Sequence, residues 1–135
     1  MLSEVRLDLV TIVVDDYDAA IDFFVRALGF ELTADDPATT SDGQAKRWVV
    51  VRPPAGGTGV LLARADGEVQ SAVVGRQVAG RVGFFLQVED FDAQYRRMLE
   101  AGVEFASAPR SEPYGRVAVF RDVAGNPWDL ISPPS

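Results

Sequence analysis

A chain of 135 residues, 47% apolar and 24% charged, has ordinary globular composition and is long enough to bury one core without covalent staples. With no Cys and no His it offers no disulfide, no thiolate or imidazole for a metal, and no thiol or imidazole catalyst, which fits a reducing compartment. A net charge of -7 with a single Lys argues against nucleic acid, whose phosphates need clustered basic side chains, and favours cationic partners.

The opening residues, Met1 to Arg6, lack a basic region followed by a long apolar one, and no apolar run approaches the roughly 18 residues of a membrane span. The expectation is a soluble, cytoplasmic protein without membrane contacts. Leu7 to Val14 is a β-branched run suited to a buried strand. Asp15, Asp16 and Asp18 then place carboxylates where a helix begins, and Ala20, Ile21, Phe24 and Leu28 mark one face of that helix, with Gly29 as its stop. A strand follows over Phe30 to Thr33. Asp35 to Gln44 is polar and is expected to be a loop. Arg47 to Arg52 is a strand, Pro53 to Gly57 a turn and Gly59 to Ala63 its hairpin partner.

The less regular stretch Ala65 to Ala79 reads as a linker, after which the order repeats. Arg81 to Val88 is a strand, and Phe91 to Ala101 a helix with Phe91, Tyr95, Met98 and Leu99 along one side. Val103 to Ala106 is a short strand, and Ser111-Glu112-Pro113 a polar turn. Arg116 to Arg121 and Trp128 to Ile131 are the last two strands, joined through Ala124-Gly125-Asn126.

The repetition is one of letters as well as order. Val14-Asp15-Asp16-Tyr17-Asp18-Ala19, closing at Gly29-Phe30-Glu31, is echoed by Val88-Glu89-Asp90-Phe91-Asp92-Ala93, closing at Gly102-Val103-Glu104. A second echo is an Arg-flanked run of four apolar residues, Arg47 to Arg52 and Arg116 to Arg121. The chain is thus one domain over 1–135, made of a first module over about 5–64, a linker over about 65–79 and a second module over about 80–132.

The segments from Val14 to Phe24, from Leu28 to Glu31, and from Phe120 to Leu130 (Phe-Arg-Asp-Val-Ala-Gly-Asn-Pro-Trp-Asp-Leu) resemble the vicinal-oxygen-chelate superfamily of glyoxalases, bleomycin-resistance proteins and extradiol dioxygenases. The resemblance spans nearly the whole chain. It implies an α+β fold of two βαβββ modules forming a curved, open mixed sheet, a cup with any ligand in its concavity, and a homodimer that completes or covers it. In metal-dependent relatives, His and Glu ligands face into the cup. The corresponding positions here are Leu9, Val60 or Leu61, Gly83 and Asp129, so this chain resembles a divergent member lacking most of the ligands. A divalent transition ion in a catalytic site takes at least three protein ligands. The expectation is no metal and no cofactor.

Strand alternation then assigns the cup's lining. If Leu9 faces inward, so do Leu7, Thr11 and Val13, while Val10, Ile12 and Val14 pack on a helix. In the second module the same face carries Gly83, Phe85 and Gln87, then Asp129 and Ile131, with Trp128 and Leu130 opposite. The candidate ligand-binding residues are Thr11, Trp48, Phe85, Gln87, Tyr114 and Asp129, an apolar surface with a few hydrogen-bonding groups. All but Phe85 also have a structural reading: Thr11 as a strand former, Gln87 as a rim amide, Trp48 and Tyr114 as core, Asp129 as a solvated carboxylate or a partner of Arg47, Arg116 or Arg121. The pairs Asp15-Asp16 and Glu89-Asp90 read as helix caps.

Three functions follow. The first is a metal-free protein that sequesters a small cationic or aromatic molecule. The second is a metal-independent lyase or isomerase with Asp129 as general base and Gln87 or an Arg orienting a carbonyl, with a metal-dependent lyase or dioxygenase as a separate, less favoured alternative. The third is an accessory module that binds no specific metabolite. Whether the chain is an enzyme stays open at this level.

Overall fold

The structure, a computed structural model, describes residues 3–134. Met1 and Leu2, within the segment read above for a leader, lie outside the described residues, as does Ser135. The first module runs β1 (Leu9–Val14), α1 (Tyr17–Asp22), β2 (Glu31–Thr39), β3 (Ala45–Arg52) and β4 (Gly59–Arg64). The second runs β5 (Phe84–Gln87), α3 (Phe91–Glu100), β6 (Arg110–Glu112), β7 (Gly115–Arg121) and β8 (Pro127–Ser132). Between them α2 (Gly67–Val73) lies on the surface with no buried residue.

Each module forms its own four-stranded mixed sheet, in the orders β1-β4-β3-β2 and β5-β8-β7-β6. In both, the first strand runs parallel to the last, and the other pairs are antiparallel. The helix starts follow the acidic signals: the Asp16 side chain accepts from Ala19 N–H at 2.8 Å, and Asp90 from Ala93 N–H at 3.0 Å. The helix stops follow the glycines. Gly29 and Gly102 adopt φ of 84° and 82°, the left-handed conformation that lets Phe30 and Val103 N–H return to the carbonyls of Phe24 and Met98.

Alternation decides which sheet face is buried. Ile12, Val14, Val49, Val51 and Leu62 of the first sheet and Ala118, Phe120, Trp128 and Leu130 of the second belong to one core, together with Phe24, Phe91 and Met98 from the helices. The helical layer therefore lies between the sheets. The Phe24 ring sits 5.9 Å from that of Trp128, which stacks on Phe84 and Phe120.

After Asp22 the first helix widens into a π turn, Phe23–Ala27, in which Leu28 N–H reaches the Phe23 carbonyl at 3.3 Å. Carbonyls at its end are also bonded by the second module. Arg97 donates to the oxygens of Arg26 at 3.0 Å and Val25 at 3.1 Å, and Gln94 to that of Leu28 at 3.2 Å. A cation against the negative end of the helix dipole adds to these bonds. Gln77 makes another tie: its amide bonds both Val13 N–H and the Thr11 carbonyl along the free edge of β1, while its own N–H reaches Asn126 Oδ1 at 3.3 Å.

Several sequence expectations are corrected. The first half of Asp35 to Gln44 is strand: β2 extends to Thr39, pairing down to Thr39 with Ala45, and only Thr40 to Gln44 turn. Pro37 is tolerated because β2 is an edge strand. The linker holds a helix. The strand read over Arg81 to Val88 is only Phe84–Gln87, Val103 to Ala106 is reduced to a bridge between Phe105 and Phe120, and the turn at Ser111-Glu112 is instead the edge strand β6. Leu99 lies exposed rather than on the packed helix face.

Candidate functional site

With the helices between the sheets, the opposite face of each sheet is turned outward. On the first sheet, Thr11 pairs with Leu61, which pairs across with Val50, two residues from Trp48 on the same face. On the second, Phe85 pairs with Asp129, Asp129 with Val119, and Gln87 with Ile131. The faces assigned from sequence alternation are the ones observed, with Trp128 and Leu130 buried opposite Asp129.

The six candidates fall into two groups. Phe85, Gln87 and Asp129 share the outer face of the second sheet, with Tyr114 at its edge; Thr11 and Trp48 belong to the outer face of the first. Phe85 is 65% exposed, Tyr114 55% and Trp48 47%, so these aromatics are not core. Among the described residues no hydrogen bond, ion pair or aromatic contact joins one outer face to the other.

Asp129 is half-buried, and that desolvation raises its carboxyl above the ordinary value, with the Arg110 charge opposing the shift. None of the arginines considered from sequence pairs with it. Arg47 is taken by Asp35 at 2.7 Å and Asp18 at 3.0 Å, Arg116 by Asp92, and Arg121 approaches Glu104. Arg110, which sequence reasoning missed, is held by Glu112 at 2.9 Å, and with Tyr114 nearby its proton is bound more tightly than usual. A three-residue edge strand read as a turn gave no alternation from which to place it.

The positions that correspond to metal ligands do not fit a divalent ion. Leu9, Val60 or Leu61, and Gly83 offer no donor side chain, leaving Asp129 alone. Among the described residues no group of three or more carboxylates is arranged to hold one.

Two concavities are lined from the sheet ends. One, of about 270 Å³, opens between β3 and β4 and is walled by Tyr17, Lys46, Trp48, Leu61, Ala63 and Arg64 among others. The other, of about 680 Å³, lies at the start of α3 beside Glu89, Asp92, Glu112 and Arg116. Among the described residues no helix is long and apolar enough to cross a membrane.

Comparison with known proteins supplies the family. Residues 6–130 match the family model described as Glyoxalase/Bleomycin resistance protein/Dioxygenase superfamily. An uncharacterized protein of Shewanella frigidimarina (strain NCIMB 400) is 47% identical over 123 residues, 90% of this chain and 89% of the relative. The crystal structure of UcmS2 superposes with a TM-score of 0.78 at 34% identity, covering 96% of this chain and 98% of that one. TnmS3, described as an antibiotic binding protein from Streptomyces sp. CB03234, gives a TM-score of 0.75 at 30% identity, covering 98% and 99%.

Proposed function

The chain belongs to the Glyoxalase/Bleomycin resistance protein/Dioxygenase superfamily, and we propose that it acts there as a binding protein that sequesters a small, partly apolar molecule without a metal. The carrying observation is the pair of outward sheet faces, each a patch of apolar side chains with one or two polar groups: Thr11 and Trp48 on one, Phe85, Gln87, Tyr114 and Asp129 on the other. Exposed aromatic rings beside isolated hydrogen-bonding groups are the composition of ligand walls. Similarity to an antibiotic binding protein supports the same reading.

A single sheet face is too flat to enclose a ligand. In the proposed assembly a second copy, related by a twofold axis, lays its second sheet beside the first sheet of its partner, so that each homodimer holds two cups. Exposed Phe85 on β5, an edge strand, is the side chain such a contact would cover. The ligand is aromatic or carries a cation; the net charge of -7 attracts the latter and Trp48, Phe85 and Tyr114 the former.

A metal-independent lyase or isomerase is the second reading, favoured by one observation: the half-buried Asp129 has its carboxyl raised, the direction that suits a general base or acid near neutrality. Thermal-shift screening of the purified protein against aromatic metabolites and cationic antibiotics separates these from an accessory module. A specific ligand at 100 times its dissociation constant stabilises by about 2.7 kcal/mol. Stabilisation without turnover supports sequestration, turnover lost in Asp129→Asn supports the enzyme, and no stabilisation by any compound contradicts both.

A further inference from the structure

One difference between the duplicated modules falls within the Arg-flanked strand that repeats in both, Arg47 to Arg52 and Arg116 to Arg121. In the second sheet β7 and β8 stay paired to the end, through Val117 with Ile131 and Arg116 with Ser132. In the first, pairing of β3 with β4 stops at Val49 with Leu62, although β3 begins at Ala45 and β4 continues to Arg64. Trp48 and Arg47 thus part from Ala63 and Arg64, and the strands fork.

The residue at the crotch explains the difference. Tyr17 starts α1 where Phe91 starts α3. Arg116 covers the Phe91 ring at 4.7 Å, and Arg47 covers that of Tyr17 at 5.1 Å. The Tyr17 hydroxyl, which Phe91 lacks, accepts the Arg47 backbone N–H at 3.2 Å, a bond the β4 strand would otherwise compete for. Arg64 lies over the same ring at 5.2 Å and reaches across the fork to the Ala45 carbonyl at 3.4 Å. What remains is the cavity of about 270 Å³.

Its chemistry runs against the charge of the chain. Among the described residues neither Arg64 nor Lys46, the only Lys, forms an ion pair. Arg47 is already neutralised by Asp18 and Asp35, and Asp66 is the one carboxylate among the lining residues. Trp48, Leu61 and Ala63 form the other wall and are continuous with the outer face of the first sheet.

We propose that the fork between β3 and β4 is an anion subsite, so that the sequestered molecule is an aromatic carboxylate lying along Trp48 with its carboxylate between Lys46 and Arg64. The assignment rests on the reading that the first sheet's outer face takes ligand, and it leaves a cationic group at the other end of the molecule free to face Asp129. A carboxylate accepts charge-assisted hydrogen bonds from both cations, whereas a neutral amide gains little and an ammonium is repelled.

The test is titration of the full-length protein with naphthoate, naphthamide and naphthylmethylamine, followed by backbone-amide NMR. Naphthoate is expected to shift Lys46, Trp48 and Arg64 and to bind about tenfold or more tighter than the amide, the equivalent of one charge-assisted hydrogen bond. Arg64→Gln is expected to abolish that preference while the amide's affinity stays the same. Tyr17→Phe, which removes the hydroxyl but keeps the ring, is expected to let the fork pair and weaken naphthoate alone. Equal affinity for the three compounds, a preference unchanged in Arg64→Gln, or no saturable shift at Lys46 and Arg64 overturns the subsite. If shifts then appear at Phe85 and Asp129 instead, the subsite fails and the binding function stands; if none appears on either face with any compound of the wider screen, the function fails as well.

Discussion

The Phe24 ring, in the middle of the first helix, lies 5.9 Å from the indole of Trp128 on the last strand. That contact joins the modules through their helix-bearing faces, which is why the faces suited to ligand point away from the shared core. Phe24 is fully buried among residues of both modules. Phe24→Ala is therefore expected to cost about 3–5 kcal/mol, and calorimetry should still show one transition for both modules. Two separate transitions in the native protein would contradict a common core.

A second buried element is polar. Asp122 accepts from the N–H groups of Ala124, Gly125 and Asn126 at 2.9 to 3.0 Å, from Asn126 Nδ2 at 3.2 Å and from Trp128 Nε1 at 2.9 Å. It shapes the turn that carries β8, and so sets the position of Asp129. Asp122→Ala leaves those donors unpaired in the interior, and about 3 kcal/mol of stability should be lost in denaturant melts. A loss below about 1 kcal/mol would show that the turn holds without it.

The raised carboxyl of Asp129 has a pH signature. Between its ordinary value of 3.8 and its folded value the native state binds more protons than the unfolded chain, so this group's contribution to stability falls as pH rises through that window. Above the window the full cost of the half-buried charge is present. Asp129→Asn should raise the Tm at neutral pH, and the gain should vanish below about pH 3. A variant less stable than the native protein at neutral pH would contradict this.

Phe85 is the exposed aromatic on edge strand β5. Sedimentation velocity at micromolar concentration should show a dimer for the native chain, and Phe85→Asp should shift it toward monomer by desolvating a carboxylate at the contact. Because the substituted side chain is exposed within the single chain, its Tm as a monomer should be little changed. A native chain that sediments as a monomer removes the partner from the account.

Much of this was legible in the sequence because the signals were local and repeated. Asp16 and Asp90 cap helices in both modules, and Gly29 and Gly102 end them. Alternation placed Asp129 and Phe85 on one face because a strand has only two. The extension of β2 was not legible, since Asp35, Asp36 and Pro37 are poor strand formers held by pairing with β3. Nor was the fork: Tyr17 and Phe91 look interchangeable until the hydroxyl is seen to take the Arg47 N–H. The outward direction of both proposed ligand faces depends on which helix side the second module packs against, a long-range choice that no local pattern records.

The central claim, that each cup is shared between two copies, is tested most directly by mixing variants. Trp48→Ala damages the first-sheet wall and Tyr114→Ala the second-sheet wall, and each variant alone should lose the fluorescence enhancement of bound anilinonaphthalene sulfonate while remaining dimeric by sedimentation. After subunit exchange, half of the dimers are mixed and each carries one cup with both walls intact, so about one quarter of the native signal should return. Signal that stays at the level of the separate variants would place both walls of a cup in one chain and contradict the account.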